Sequence, residues 1–166
     1  MKLQVEQAIK EMGTEIPFSF VEPAAVLGEV DAFPWENHDV AVKGTYWFDG
    51  RQIVVRGTVC TIGVYACSRC LTPVSVERRE DLTEQYVSET DDSNDAVLYD
   101  GDYIDLQEAV RETLILSEPL RVLCRPDCKG LCPHCGANLN DGPCGCPADA
   151  VDPRLAVLGE LFKNEH

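Results

Sequence analysis

The stretch from Cys124 to Cys146, CRPDCKGLCPHCGANLNDGPCGC, holds six of the chain's nine cysteines and constrains the fold more than any other part of the sequence. A zinc-bound thiolate wants three further soft ligands at tetrahedral angles about 2.3 Å from the metal, and a C-x-x-C turn supplies two ligands from one short piece of chain. Cys132 and Cys135 form such a turn. Gly136 follows, where the missing Cβ lets the backbone curl so that its amides point at the sulfurs. Either Cys144 and Cys146 or Cys124 and Cys128 can complete the tetrahedron. Gly142, Pro143 and Gly145 make the approach to the last pair a turn rather than a helix or strand. A second C-x-x-C, Cys67 and Cys70, lies well upstream. Eight thiols would satisfy two zinc sites. The ninth, Cys60, falls in a valine-rich run and reads as a small buried hydrophobe.

Four segments of the chain carry a resemblance. C-S-R-C-L at Cys67 to Leu71, D-C-K-G-L-C-P-H-C-G-A-N-L-N at Asp127 to Asn140, C-G-C at Cys144 to Cys146 and D-P-R-L-A-V-L at Asp152 to Leu158 together resemble the YceD family of bacterial large-ribosomal-RNA-subunit accumulation proteins. The likeness extends over most of the chain. It implies a role in ribosome production, with accumulation of large-subunit ribosomal RNA as the outcome.

Composition bounds what such a role can be. The 14 basic and 29 acidic side chains give a net charge of −15, which repels a phosphate backbone over the Debye length of ~8 Å. Nucleic-acid affinity rests largely on cations replacing counterions, so RNA contact is expected to be weak or indirect. A basic ribosomal protein, or a large-subunit precursor, is the expected partner. Arg121, Arg125, Lys129 and Arg154 flank the cysteine segment and are the candidates for a local partner-binding patch. No apolar run approaches the ~20 residues that cross a bilayer, and MKLQVEQAIKEMG lacks the features of a signal peptide, so a cytoplasmic protein is expected. Reduced thiols there favour metal ligation over disulfides.

Upstream, the pattern predicts an α+β fold: an antiparallel β-sheet, barrel-like or open, packed with one or two helices and followed by the cysteine-rich zinc-binding segment. Residues 1–118 would form the sheet with a helix over 105–117. Residues 119–166 would add the zinc segment and a C-terminal helix, the whole making one compact unit. Val40, Val42 and Tyr46 alternate through 38–48, Asp49 and Gly50 signal a hairpin turn, and a Val- and Ile-rich strand runs to Ala66 with Gly57 and Gly63 as bulge or bend points. Pro73, Val74 and Val76 open the next strand, which puts Cys67 and Cys70 at a hairpin tip. Residues 1–12 fit neither a helix nor a strand period cleanly. Pro17, Pro23 and Pro34 predict extended chain over 16–34. Glu89, Asp91, Asp92, Asp95, Asp100 and Asp102 predict a mobile acidic loop over 88–102. Asp105 and Glu108 read as a capping box for a helix with Leu106, Val110 and Leu114 on its apolar face. Asp152 and Pro153 open a last helix with Leu155, Leu158, Leu161 and Phe162 in a stripe.

The chemistry expected is ligation rather than catalysis. A thioredoxin-type reading of C-S-R-C needs a helix after the motif, and Pro73 with Val74 and Val76 predicts a strand. His38, His134 and His166 form no constellation with a serine or carboxylate, and no glycine-rich phosphate loop occurs, so no catalytic residue is assigned. His134 reads as a solvent-facing spacer between two ligands. Paired C-x-x-C sites without histidine predict closed, structural zinc. An iron-sulfur or thiol redox-sensing protein would use the same cysteines and is the alternative.

Overall fold

In a computed structural model, residues 1–28, 33–88, 96–99 and 101–146 are described. The chain begins with β1 (Lys2–Gln4) and α1 (Val5–Lys10), so residues 1–12 are a strand and then a helix. It continues through β2 (Ile16–Pro23), a short 3-10 turn (Ala24–Leu27), β3 (Asp39–Phe48), β4 (Ile53–Ala66), β5 (Pro73–Val87), β6 (Val97–Leu98), β7 (Tyr103–Asp105) and α2 (Gln107–Leu116). Strands β2-β3-β4-β5-β6 lie in that order in an open five-stranded sheet, and β1 pairs with β7 in a separate two-stranded one. All pairs are antiparallel except β5 with β6.

The period of two predicted for β3 to β5 is realised because one face meets the core. Val40, Val42, Tyr46, Ile53, Val55, Val59, Leu82 and Tyr86 are buried there against Leu106, Val110 and Leu114, the last two on α2. Each such side chain contributes about 1.5–3 kcal/mol on burial. Cys60 stands on the opposite face of β4 from Val59 and is half-buried, paired in register with Ala41 and Arg79. It is therefore not a core residue, because strand parity turns it outward.

Neither Gly57 nor Gly63 is a bulge. The β4–β5 register runs unbroken from Ile53↔Tyr86 to Ala66↔Pro73. Gly57 instead faces Gly44, where a Cβ on Gly44 would stand 2.0 Å from the Arg56 carbonyl oxygen, so the two strands press together where no side chain intervenes. The prolines of 16–34 do exclude a helix, but the chain there joins the sheet as edge strand β2, with Pro17 and Pro23 where a missing N–H is tolerated. Within the acidic stretch Val97 and Leu98 pair with β5, while 89–95 and 100 lie outside the described residues. The helix expected from Asp152, and with it Arg154, also lies outside them.

The capping box does not form. Pairing with β1 holds Asp105 extended as the last residue of β7, and Leu106 precedes the helix. Asp105 Oδ1 still accepts the Gln107 N–H at 3.0 Å, but Glu108 turns to Arg111 at 2.6 Å instead of reaching back. The far end of α2 is closed by a residue with no sequence signal, Arg78 on β5. Its guanidinium, 5% exposed, donates to Glu80 (2.8 Å), the Tyr65 hydroxyl (2.7 Å), Glu118 (3.0 Å), Ser117 Oγ (2.7 Å) and the Leu114 carbonyl (3.3 Å). A cation at a helix C-terminus complements its dipole, and here it fixes the point from which the chain enters the cysteine segment.

Candidate metal centres

Two groups of four cysteines gather their sulfurs within 4.8 Å of one another: Cys67, Cys70, Cys124 and Cys128, and Cys132, Cys135, Cys144 and Cys146. Of the two pairs open to Cys132 and Cys135, Cys144 and Cys146 stand beside them. Cys124 and Cys128 meet the upstream pair.

The first group grows out of the β4–β5 hairpin. The Leu71 N–H donates to the Cys67 carbonyl and the Cys67 N–H to the Thr72 carbonyl, both at 2.9 Å, which curls the turn around its sulfurs. The returning chain is pinned across it: Ser68 N–H donates to the Val122 carbonyl at 2.8 Å, and the Val122 N–H to Ser68 Oγ at 3.2 Å. That brings the Cys124 N–H within 3.4 Å of Cys67 Sγ. Arg69, between the two hairpin cysteines, donates from Nη1 to the Cys128 carbonyl at 2.6 Å. Gly130 has φ 79, and a Cβ there would stand 3.1 Å from the Arg69 carbonyl oxygen, so glycine is needed for both reasons. Cys67, Cys70 and Cys128 are buried with Val74, Leu123 and Leu131 packed against them.

The second group is local and more open. The Cys132 N–H donates to the Ala137 carbonyl at 2.8 Å, Gly136 N–H returns to the Cys132 carbonyl at 2.9 Å, and Gly136 takes φ 73. His134 donates its backbone N–H toward Cys132 Sγ at 3.4 Å and leaves its ring exposed. Cys132 is buried, Cys135 exposed, and Cys144 and Cys146 lie between.

These spacings fit a single tetrahedral ion. Four sulfurs about 2.3 Å from one centre are about 3.8 Å from each other. The sulfurs of Cys67 and Cys128 are 3.8 Å apart, and those of Cys70 and Cys124 are 3.6 Å apart. The electrostatics agree. Backbone amides of Cys70, Arg69 and Cys124 hold the Cys67 thiol down at about 6, and those of Cys135 and His134 do the same for Cys132. Cys124 is pushed up to about 12, first by loss of water around its sulfur and then by the neighbouring thiols. Cys146 is also pushed up to about 12, chiefly by its contact with Cys135. Four crowded thiols cannot all ionise unaided, and a cation held among them would supply the missing charge.

The candidate basic patch divides. Arg121 and Lys129 are exposed, with no side-chain partner among the described residues. Arg125 is committed: its Nη2 donates to Asn140 Oδ1 at 2.7 Å and its Nε lies 3.5 Å from Asp127. Arg69, Ser68 and Asn140 were not singled out by the sequence, since polar residues inside or beside a ligand turn read as solvent-facing spacers. A cleft of about 490 Å³ opens elsewhere, near His38, Cys60, Glu77 and Arg79. It lies on the sheet, away from both cysteine groups. Its one buried cation, Arg78, already has all its bonds filled within the fold.

The fold is thus an α+β sheet protein with two four-cysteine groups, each able to hold a metal ion, one seated on a hairpin and one following it in the chain. The family model described as "Large ribosomal RNA subunit accumulation protein YceD" matches residues 55–162, which take in both sites and the strands that carry the first. The chain belongs to the YceD family. An uncharacterized protein of Mycobacterium tuberculosis is 35% identical over 119 residues, covering 68% of this chain and 57% of that protein. The large ribosomal RNA subunit accumulation protein YCED homolog 1 of Zea mays chloroplasts is 33% identical over 153 residues, covering 73% and 50%. The Bacillus subtilis protein YlbN, uncharacterized, is 28% identical over 130 residues, covering 76% of each. The chain thus spans little more than half the length of the curated mycobacterial relatives it matches. No solved structure matches. Among the described residues, no helix is long and apolar enough to cross a membrane.

Proposed function

We propose that the protein is a non-enzymatic, cytoplasmic factor in ribosome production. In this reading it supports accumulation of large-subunit ribosomal RNA by holding a basic ribosomal protein or an assembly intermediate, with one zinc ion closing each four-cysteine site. Family membership is the observation that carries the ribosomal role. The sulfur spacing supports a single ion per site, because a cluster spreads its thiolates over several irons and sets some of them further apart. Four thiolates leave no open position for water or substrate, which supports a structural rather than a catalytic ion. The net charge of −15 supports a basic protein partner, and the two described residues of the candidate patch without a side-chain partner, Arg121 and Lys129, support only short-range contact with RNA.

Two measurements test this. Elemental analysis of the purified protein should give two zinc ions per chain, in a colourless solution. At ~150 mM salt the protein should retain a basic ribosomal protein of the large subunit and bind bare large-subunit RNA weakly. Tight binding to bare RNA that survives charge reversal in 88–102 and disappears when Arg121, Arg125, Lys129 and Arg154 are changed would make the cysteine segment an RNA-binding module.

A further inference from the structure

Asn140 lies in the loop of the second site, between Cys135 and Cys144, yet its side chain is directed at the first. Its Oδ1 accepts the Lys129 N–H at 2.9 Å and Arg125 Nη2 at 2.7 Å. A backbone N–H can only donate, so this contact fixes which end of the amide is oxygen. The NH₂ group is left to face the other way, where it donates to Cys128 Sγ at 3.4 Å and to Asn138 Oδ1 at 2.8 Å. All four contacts are satisfied by one orientation. An N–H bond to a ligand sulfur favours its thiolate and aims its lone pairs, which is how groups behind a metal ligand raise affinity.

We infer that Asn140 is a positioning residue through which the two metal sites load as a coupled pair, an inference that rests on the reading of both sites as metal-bound. The loop that presents Asn140 runs between Cys135 and Cys144 of the second site and lies against the link from the first: the Leu139 N–H donates to the Gly130 carbonyl at 2.9 Å, the Asp141 N–H to the Asn138 carbonyl at 3.1 Å, and Leu131 bridges Asn138. This loop buries little apolar surface, so ligation of Cys132, Cys135, Cys144 and Cys146 is what offsets its ordering entropy. The segment Cys128 to Cys132 is clamped from the other side by Arg69, whose carbonyl accepts the Leu131 N–H at 3.2 Å. Metal in the second site thereby places an N–H on a ligand of the first. Linkage makes the effect reciprocal.

The test loads the full chain with Cd²⁺ and follows each site by cadmium NMR during chelator competition. The unmodified chain should take up two ions and release them over one narrow range of chelator. Asn140→Ala should still take up two, with the first site weakened about 10–100-fold. Asn140→Asp keeps the acceptor for Lys129 and Arg125 but presents no N–H to Cys128, so it should weaken the first site at least as much. In that variant the first site's cadmium line should shift and the second site's should not. Removing the second site with Cys144→Ser and Cys146→Ser should weaken the first by the same factor, and adding Asn140→Ala to that chain should cost nothing more. Amide protection through 39–87 reports that each variant is folded. If both Asn140 variants bind Cd²⁺ at the first site as tightly as the unmodified chain, the coupling is wrong and the metal reading stands. If the unmodified chain takes up no Cd²⁺, the metal reading fails and takes the coupling with it.

Discussion

The knuckles at Cys67–Leu71 and Cys132–Gly136 make the same turn in two different settings. In each, the residue after the second cysteine donates to the carbonyl of the first at 2.9 Å, and the first cysteine's N–H closes on the residue beyond at 2.9 or 2.8 Å. Both turns need a left-handed residue at the same place, and it is Leu71 with φ 61 in one and Gly136 with φ 73 in the other. The leucine costs roughly 1–2 kcal/mol there. The β4–β5 strands dictate the path of the first turn and hold it in spite of that cost, whereas the second has no strands to enforce it and uses the residue that takes the conformation freely. The ligand sets differ in the same sense. Cys67 and Cys128 are 61 residues apart, so a metal in the first site would strap the returning chain to the sheet, while one in the second would close a shorter loop within 132–146.

The largest effect should come from breaking that strap. Cys67→Ser with Cys70→Ser should abolish the first metal site and expose the amides of 119–131 to exchange, while 39–87 keeps its protection. Cys132→Ser with Cys135→Ser should lose one ion and leave the Ser68–Val122 pairing protected. Chelation of both ions should release 119–146 as a whole. Loss of protection spread uniformly along the chain would instead show that sheet and cysteine segment fold as one unit.

A smaller effect separates the sheet from its strap. Arg78→Met leaves Glu80 and Glu118 without their cation and the end of α2 uncapped, which should cost about 3 kcal/mol in urea unfolding. Metal content should not change. If it falls, the junction of α2 with the cysteine segment is part of the first site's support and the contrast between scaffold and strap is too sharp.

The smallest effect probes the knuckles themselves. Leu71 is 64% exposed, so Leu71→Gly gives up little packing and removes the left-handed penalty. After the greater chain entropy of glycine is set against it, a gain of about 0.5–1 kcal/mol in thermal or urea unfolding is expected. A loss would mean that the Leu71 side chain packs in the native state.

The knuckle turns and the strands β3 to β5 were legible because their signals are local. Val40, Val42 and Tyr46 alternate because one face of β3 is buried, and Cys132, Cys135 and Gly136 fit one turn whatever surrounds them. Arg78 was not legible, since it sits in the run Glu77–Glu80 that reads identically whether its second member is solvated or buried. Asp105 looked like a cap because its spacing to Glu108 is right, but pairing with β1 decided its backbone instead. Cys60 lies in a run apolar enough to suggest the core, and only the register of β4 shows which face it occupies.

Which residues can serve as ligands was thus determined by the sequence alone, because sulfur chemistry and short turns need no partner from elsewhere in the chain. Which cysteines come together was decided by tertiary structure. Cys124 and Cys128 have spacing that suits either knuckle. They go to Cys67 and Cys70 because the β4–β5 hairpin reaches past the sheet to the chain that leaves α2, where Ser68 pairs with Val122 and brings Cys124 to Cys67. That placement joins residues more than 50 positions apart, a distance over which no local pattern carries information.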